Sequence, residues 1–289
     1  MADAIQRASP LAIICGGGSF PGAVAEAVSR QGRRPVLFGL KGWAAADVIE
    51  KYAHHWIVIG QIGHFFRLAR SESCRDVLFI GSVVRPPIRQ LGLDWQTIKL
   101  MPSLIRAYRG GDDRLLGGLA KMAEDAGFRI VGLDQVAPEV FVSDGVLGHF
   151  RPSAGNHTDI VRGLETIRAL GPFDVGQATV VANNQVLAVE AAEGTDNMIA
   201  RVAELRRLGR VAPPPGVGVL VKAPKPGQDR RFDLPSIGPR TVENVAKAGL
   251  AGIAVSAGST IIAEAAVTIA AADRAGIFIA GVSEDGGAR

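Results

Sequence analysis

The stretch Leu11–Gly22, LAIICGGGSFPG, decides the fold class of the first half of the chain. Its five apolar residues are typical of a buried strand, and the glycines that follow allow a tight turn into a helix whose first turn accepts Pro21. Backbone N–H groups at such a helix start can bind phosphate, so we predict that Gly17, Gly18 and Ser19 contact an anionic ligand. A purely structural strand-to-helix turn explains the same glycines equally well.

This turn does not match the usual nucleotide-binding fingerprints. A G-x-G-x-x-G pattern started at Gly16 fails at Pro21, and the second predicted strand, Pro35–Gly39, is not followed by the acid that would bind a ribose. The turn also lacks the GK[ST] of a P-loop. The sequence therefore argues against a dinucleotide cofactor, although it keeps the strand, turn and helix order.

Apolar strands and helical stretches continue to alternate along the first half. Near-continuous apolar strands separated by helices indicate a parallel sheet buried on both faces, as in Rossmann-like folds. The further predicted elements of this half are strands at Trp56–Gly60, Asp76–Gly81 and Arg129–Leu133, and helices at Ala23–Gln31 and Ile62–Ser71. We predict an α/β protein whose first domain, residues 1–143, is Rossmann-like.

A second α/β domain is predicted for residues 144–289, because glycine and proline cluster around Ala137–Asn156. Asn183 and Asn184 predict a hairpin turn, since asparagine tolerates the left-handed backbone conformation that such turns require. The predicted helices are Thr158–Leu170, Asn197–Leu208, Thr241–Ala248 and Thr260–Ala272, and the predicted strands are Asp174–Ala182, Val186–Ala192, Gly252–Ser256 and Ile277–Val282.

Composition limits the classes of function. The chain has 289 residues, 47% hydrophobic and 21% charged, with a net charge of +4. This mild positive charge permits anionic ligands but does not indicate a nucleic-acid partner. The N-terminus lacks the pattern of a secretory signal, and no apolar run reaches the length of a membrane span, so we expect a cytoplasmic protein. Cys15 and Cys74 do not indicate a disulfide framework or a metal motif.

The segment Lys222–Arg240, KAPKPGQDRRFDLPSIGPR, concentrates charge after a predicted strand. Its cations can neutralise phosphoryl oxygens, so we predict that Lys222, Lys225, Arg230 and Arg231 bind a phosphate ester, and Gln228 with them. The embedded acids Asp229 and Asp233 can hold a metal ion or orient water. A solvated surface loop with no function is the alternative.

Four further candidates are more isolated in the sequence. Arg85 follows a predicted strand, where open α/β sheets bind ligands, and Asp112 either faces a ligand or caps a helix. Glu190 lies inside a predicted apolar strand, where an unpaired carboxylate is costly, and we predict it as a metal ligand. Thr195 follows closely and is predicted to bind substrate or to cap the next helix.

Several of these segments together resemble the bacterial UDP-2,3-diacylglucosamine pyrophosphatases of the LpxI type, a lipid A pathway family. The resemblance extends from about Leu11 to Val282. It rests on the segments GGGSFPG (16–22), GSVVRP (81–86), GDDRLL (111–116), DVGQATVV (174–181), VLAVEAAEGTD (186–196) and LVKAPKPGQDRRFDLPSIGP (220–239).

The resemblance implies hydrolysis of the pyrophosphate of UDP-2,3-diacylglucosamine by attack of water on the α-phosphorus. The products are then UMP and 2,3-diacylglucosamine 1-phosphate, or lipid X. It implies a Mg²⁺ cofactor, with Mn²⁺ as an alternative, and assigns the essential acidic role to Asp229 and Asp233. By motif position, Gln177 joins the predicted substrate-binding residues. Peripheral contact with the inner membrane and a homodimer are left open, and no nucleic-acid partner is expected.

Two other functions remain open at this stage. A nucleotide-sugar transferase or oxidoreductase would use the Rossmann-like half, but the cofactor fingerprint is missing. A non-catalytic glycolipid or nucleotide-sugar binding protein would bind the same ligand without turnover.

Overall fold

The protein is described by a computed structural model that covers residues 9–83, 92, 94, 95, 97, 112–211 and 214–283. The chain forms two compact units. The first unit comprises Met1–Glu139 together with Asp229–Asp233, and the second comprises Val140–Gln228 together with Leu234–Arg289. Five residues from the second half of the sequence are therefore part of the first unit.

The first unit is an α/β layer structure. Its strands are β1 (Leu11–Cys15), β2 (Pro35–Leu40), β3 (Ala53–Ile57), β4 (Asp76–Ile80) and β5 (Arg129–Ile130). Its helices are α1 (Phe20–Arg30), α2 (Ala46–Ile49), α3 (Ile62–Ser71), α4 (Asp112–Asp125) and α5 (Leu133–Val136), followed by a short 3₁₀ turn at Pro138–Val140.

In the described residues of this unit, the strands form one parallel sheet in the order β3-β2-β1-β4-β5. The strand order changes direction between β1 and β4, which makes a topological switch point at their carboxyl ends. The central strands β1 and β2 are continuously apolar and almost wholly buried, and Phe38, Phe65 and Phe128 pack in the core beside the sheet. The predicted Rossmann-like parallel sheet is confirmed.

The second unit has a mixed sheet. Its strands are β6 (Gly145–Leu147), β7 (Ala178–Ala182), β8 (Gln185–Val189), β9 (Val219–Lys222), β10 (Ser236–Ile237), β11 (Gly252–Ser256), β12 (Ile261–Ile262) and β13 (Phe278–Val282). Its helices are α6 (Ala154–Leu170), α7 (Gly194–Arg207), α8 (Pro239–Lys247) and α9 (Ala265–Ala275), with a 3₁₀ turn at Gly171–Phe173.

Within the described part of this unit, the main sheet has the order β6-β13-β11-β9-β7-β8. Strands β9, β11 and β13 are parallel to one another, whereas β7 is antiparallel to both β8 and β9. Helix α6 packs on one face through Ile160 and Leu164, and helices α7, α8 and α9 cover the other face. The carboxyl ends of β8, β9, β11 and β13 therefore meet at one edge of the sheet.

The hairpin predicted from Asn183 and Asn184 is confirmed, because both residues have positive φ angles, 52° and 63°, between β7 and β8. The backbone N–H groups of both asparagines donate to the buried carboxylate of Asp159 in α6. A side chain of the covering helix thus fixes the turn of the hairpin.

Some predicted boundaries were wrong. Strand β3 begins at Ala53 rather than Trp56, so His54 and His55 lie inside it. The predicted helix Thr260–Ala272 begins only at Ala265, because Ile261 and Ile262 instead pair as β12 with β10. Two consecutive β-branched residues favour a strand over a helix.

The two cysteines are buried free thiols in the core of the first unit, as predicted for small core residues. Burial raises the pKa of Cys15 to about 12 and that of Cys74 to about 11. Both thiols are therefore protonated and unreactive at neutral pH. Within the described ranges, no helix has both the length and the apolar character needed to cross a bilayer.

Candidate active site

The glycine-rich turn lies at the switch point of the first unit, where β1 and β4 end. The Gly16 N–H donates to Ile80 O at 2.8 Å, and Gly17 exchanges two backbone hydrogen bonds with Ser82, at 2.8 and 3.0 Å. A Cβ on Gly16 would lie 2.6 Å from Ser82 O, so only glycine fits there. Gly16 and Gly17 therefore join the ends of two strands.

Gly18 and Ser19 have a different environment in the same turn. Gly18 has a φ of +93°, and a Cβ built on it would meet nothing within 4 Å. Ser19 is the N-cap of α1, but its side chain makes no capping hydrogen bond. Both residues are exposed at a helix start, which is the position predicted for contact with an anionic ligand.

The segment Asp229–Asp233 contributes the two predicted catalytic acids to the first unit. The Phe232 ring packs edge-on against Phe79 of β4, with 5.6 Å between the centroids. Arg231 forms an ion pair with Glu124 of α4 at 3.0 Å. Because Phe79 is next to the last residue of β4, the segment lies near the carboxyl edge of the sheet, where open α/β sheets bind ligands.

Among the described residues, the Asp229 carboxylate accepts its hydrogen bonds from Arg231. Its Oδ1 accepts hydrogen bonds from the Arg231 backbone N–H and from Nε, both at 3.0 Å, and its Oδ2 accepts from Nη2 at 2.8 Å. These hydrogen bonds lower the pKa of Asp229 below the ordinary aspartate value. Asp233 is half-buried, and its backbone N–H closes a turn onto Asp229 O at 3.3 Å. Asp229 is therefore ionised at neutral pH.

Four predicted site residues meet at the carboxyl edge of the second unit. Glu190 accepts from the Gln177 backbone N–H at 3.0 Å and from the Thr195 hydroxyl at 2.8 Å. The Lys222 ammonium donates to the Thr195 hydroxyl oxygen at 3.0 Å and to Ser236 O at 2.9 Å. Lys222 and Glu190 are both buried, so the network carries two opposite charges away from water.

The surroundings of Glu190 and Lys222 differ from the prediction. Glu190 follows the last residue of β8 instead of lying inside the strand, and Lys222 is the last residue of β9 instead of the first residue of a loop. Both side chains are fixed by hydrogen bonds from neighbouring segments. Strand ends allow this, because a side chain there can leave the apolar face and reach the adjoining turns.

A tight turn at Lys225–Gln228 leads into the acidic segment. Gly227 has a φ of +79°, and the turn is closed by the Gln228 N–H donating to Lys225 O at 3.2 Å. The Gln228 side chain reinforces it, because Oε1 accepts from the Lys225 backbone N–H at 2.8 Å. Its Nε2 is buried and has no hydrogen-bond partner among the described residues.

Acidic residues outside the predicted basic loop neutralise much of its charge. Lys225 pairs with Asp174, Arg240 pairs with Asp196, and Arg231 pairs with both Asp229 and Glu124. Glu124, Asp174 and Asp196 lie 44 to 107 positions away from these partners, and no local pattern marked them as partners of the loop. Arg230 is exposed. Arg85 lies outside the described residues, as does the side chain of Asp112, whose backbone begins α4.

In the part of the chain that the structure describes, no three His, Cys, Asp or Glu side chains come together in a way that could hold a metal ion. Asp229 and Asp233 share one short segment of the first unit, whereas Glu190 belongs to the second unit and accepts hydrogen bonds at both carboxylate oxygens. The predicted ligand set Asp229, Asp233 and Glu190 thus draws on both units and stays a prediction.

Comparison with known proteins gives matches over nearly the whole chain. Residues 10–140 match the LpxI N-terminal domain, and residues 143–280 match the LpxI C-terminal domain. The UDP-2,3-diacylglucosamine pyrophosphatase LpxI of Caulobacter vibrioides is 40% identical over 272 residues, which cover 94% of this chain and 97% of that protein.

Solved structures give much weaker likenesses. The biotin carboxylase subunit of pyruvate carboxylase aligns with 69% of this chain at 12% identity and a TM-score of 0.27. The biotin carboxylase domain of Hydrogenobacter thermophilus 2-oxoglutarate carboxylase aligns with the same share at 9% identity and a TM-score of 0.25. The alignments span only 41% and 42% of those chains, and we base no conclusion on them. The identity to the Caulobacter protein, sustained over almost the full length of both sequences, places this chain in the LpxI family.

Proposed function

We propose that this protein hydrolyses the pyrophosphate of UDP-2,3-diacylglucosamine. One water molecule is consumed, and UMP and 2,3-diacylglucosamine 1-phosphate are released. The observation that carries the proposal is the 40% identity, over 94% of the chain, to a protein named for this substrate and activity. The site supports it, because the segment that carries the two acids packs near the carboxyl edge of the Rossmann-like sheet, and the glycine-rich helix start lies at the same edge.

In the proposed reaction, water attacks the α-phosphorus next to uridine. Phosphoryl transfer needs positioning and charge neutralisation more than covalent help from the protein. We expect the backbone N–H groups of Gly18 and Ser19, two exposed residues at the start of α1, to donate to phosphoryl oxygens. Asp229 is kept ionised by Arg231, and its carboxylate oxygens can accept a hydrogen bond from the attacking water or take its proton.

The donor set of the acidic segment fits Mg²⁺, the cofactor implied by the resemblance. This ion usually takes one or two carboxylates and completes its shell with phosphate oxygens and water, so Asp229 and Asp233 are sufficient without a third protein ligand. When bound, Mg²⁺ would supply neutralisation of phosphate charge and a more acidic water. Glu190, the third predicted ligand, accepts hydrogen bonds from the Gln177 backbone N–H and the Thr195 hydroxyl, and its binding to the metal stays a prediction.

Two predicted substrate-binding residues of the second unit, Gln228 and Lys222, carry buried donor groups. The buried Nε2 of the Gln228 amide has no hydrogen-bond partner in the part of the chain that the structure describes, and burying such a donor unpaired costs about 1–3 kcal/mol, which an acceptor on the substrate would recover. The buried Lys222 adds a positive charge at the end of β9. We propose that both interact with oxygen atoms of the nucleotide-sugar head group.

Contact with the membrane surface is part of the proposal. The two acyl chains of the substrate are held in a bilayer, and a net charge of +4 favours approach to anionic lipids. Cosedimentation with phosphatidylglycerol vesicles, absent with phosphatidylcholine vesicles, is the expected result. The homodimer stays a prediction, to be tested by light scattering.

The deciding experiment is incubation of the purified protein with UDP-2,3-diacylglucosamine and Mg²⁺, with separate quantification of UMP and of the lipid phosphate. Equimolar release of both products is expected, and excess chelator should stop it. Saturable binding without product would instead identify a non-catalytic binding protein. A copurified chromophore with nicotinamide or flavin absorbance would favour the oxidoreductase alternative.

A further inference from the structure

Arg231 contacts two acidic residues that are far apart in the sequence. Its Nε and Nη2 donate to the Asp229 carboxylate at 3.0 and 2.8 Å, and its Nη1 donates to Glu124 Oε1 at 3.0 Å. These contacts raise the pKa of Arg231 above its already high value, so the guanidinium is always charged. One side chain therefore links the acidic segment to helix α4.

The pair with Asp229 alone would not fix the position of the segment. Asp229 and Arg231 are two residues apart, so they would move together with the loop that carries them. Glu124 belongs to a 14-residue helix and gives the guanidinium a partner outside the loop. The ring of Phe232, 5.0 Å from the Arg231 Cζ, packs on Phe79 of β4 and provides a second, apolar attachment.

The stem of Arg231 is also close to the sheet. A Cβ built on Gly132, two residues after β5, would lie 3.6 Å from the Arg231 Cγ. The segment is thus attached to helix α4 and to β4, and it lies close to the turn after β5. Such attachments hold a carboxylate in one rotamer, which a catalytic group requires.

We propose that Arg231 and Glu124 are positioning residues, which act through Asp229 to hold its carboxylate in the reactive orientation. This inference rests on the proposed function, in which Asp229 serves the hydrolysis. It changes the role expected for Arg231, which the sequence suggested as a direct phosphate ligand. Its principal partner is a carboxylate of its own loop.

The inference predicts a specific pattern in a double-mutant cycle of Arg231→Ala and Asp229→Asn. Arg231→Ala should lower kcat by about 10-fold or more, with little change in KM, because it removes charge-assisted hydrogen bonds that orient a catalytic group. In the Asp229→Asn background the same change should cost less than about twofold, since the group being positioned is already gone. Losses that multiply, or a raised KM with kcat unchanged, would show that Arg231 acts on phosphate directly and would overturn the inference.

Glu124 offers a milder test with a matched control. The side chains of Arg231 and Glu124 are 39% and 44% exposed, so water weakens the pair and Glu124→Gln should lower kcat by no more than about fivefold. Asp125→Asn removes the same charge from the adjacent exposed position of α4 and should leave kcat unchanged. Equal effects of the two substitutions would indicate a general charge effect and contradict the role of Glu124.

A readout that does not depend on turnover separates this inference from the proposed function. Hydrogen–deuterium exchange of the peptide covering residues 224–236 should be faster in Arg231→Ala and Glu124→Gln than in the wild type and Asp125→Asn. If Arg231→Ala does not fold, Arg231→Lys replaces it in the test. This variant keeps the positive charge but loses the paired N–H donors of the guanidinium, and it should also exchange faster than the wild type. Unchanged exchange in the Arg231 and Glu124 variants would refute the positioning role, whereas an inactive wild type with the expected exchange pattern would refute only the proposed function.

Discussion

At the scale of single residues, the candidate site depends on acids that are restrained by hydrogen bonds. Asp229 accepts three hydrogen bonds at 3.0 Å or less from one arginine, and Glu190 accepts from a backbone amide and a hydroxyl. A fixed carboxylate loses less entropy when it orients a water or a metal ion. The same residues in an unattached loop would lack this advantage.

Removal of either loop acid should affect turnover more than folding. For Asp229→Ala and Asp233→Ala we expect at least one variant to lose about 10²-fold or more in kcat/KM, the usual loss when an acid–base or electrostatic group is deleted. Urea unfolding should remain within about 1 kcal/mol of the wild type, because both side chains are partly exposed loop residues. Near-native rates in both variants would exclude the segment from the chemistry.

The residues of the buried network in the second unit should contribute to stability in a coupled way. Lys222→Met removes the ammonium that donates to Ser236 O and to the Thr195 hydroxyl oxygen. We expect the free energy of unfolding to fall by at least about 1–3 kcal/mol, because these acceptors lose their donor. Adding Glu190→Gln should cost less in the Lys222→Met background than in the wild type, because the unpaired negative charge is then removed. Strictly additive unfolding energies would show that the two charges do not interact.

At the scale of elements, the sequence predicted what local patterns control. The apolar run Leu11–Cys15 and the Asn183–Asn184 turn were predicted correctly because strand burial and left-handed turns depend on neighbouring residues. The start of α9 was predicted incorrectly because β12 exists only through its pairing with β10, which is 25 positions earlier in the chain. The pairing of Arg231 with Glu124 is separated by 107 positions and is equally invisible to a local pattern.

The link between helix α6 and the hairpin can be tested directly. Asp159→Ala removes the acceptor for the Asn183 and Asn184 N–H groups, and we expect a loss of about 1–3 kcal/mol in the free energy of unfolding. Thr158→Ala, at the adjacent exposed position of the same helix, is the control and should change stability by less than about 0.5 kcal/mol. A similar small effect of both substitutions would mean that water replaces the carboxylate without cost.

Three elements of the first unit are joined by an ion cluster around the fully buried Asp76 of β4. Arg33, just before β2, donates at 2.5 Å, and Arg129 of β5 donates at 2.8 and 2.9 Å. Burial alone would raise the pKa of Asp76, but the hydrogen bonds and charges of Arg129 and Arg33 outweigh it and lower that pKa. The ionised carboxylate therefore stabilises the folded state.

The Asp76 cluster predicts a definite dependence of stability on pH. Because the folded pKa lies below the unfolded one, near 3.9, the stabilisation is complete above that value and is lost as pH falls through the folded pKa. Asp76→Asn should cost about 3–5 kcal/mol at neutral pH, by leaving two arginines without their anion. The difference between variant and wild type should shrink in urea titrations at progressively more acidic pH; a constant difference would contradict the assignment.

At the scale of the whole molecule, the unit to which a residue belongs does not follow from its place in the sequence. Asp229–Asp233 belong to the unit built mainly from the first half of the sequence, although both neighbouring segments belong to the second unit. The sequence identified the acids of this segment by residue type and by family resemblance. It could not show that Phe79 and Glu124 hold the segment in place, because those contacts exist only after the first unit has folded.

The proposed hydrolysis also leads to a prediction about which phosphorus is attacked. UMP and 2,3-diacylglucosamine 1-phosphate form whichever bond to the bridging oxygen breaks, so product identity alone does not locate the attack. Hydrolysis in ¹⁸O-labelled water does, because the phosphorus that is attacked keeps the label. Attack on the uridine side, which the family resemblance implies, should place the label in UMP, as measured by mass spectrometry of both products.

The same experiment tests the proposed use of Mg²⁺ by Asp229 and Asp233. Chelator should suppress labelling of both products. Among the described residues no three His, Cys, Asp or Glu side chains form a metal-binding group, so the ion would depend on substrate phosphates as further ligands and should be removed readily. Mn²⁺ added back should restore label to the same product as Mg²⁺. Label in the lipid phosphate would refute the mechanism even with the substrate correct, because it would mean that water attacks the sugar-side phosphorus. Full turnover in chelator would refute the proposed role of the metal, because water would then be activated without it.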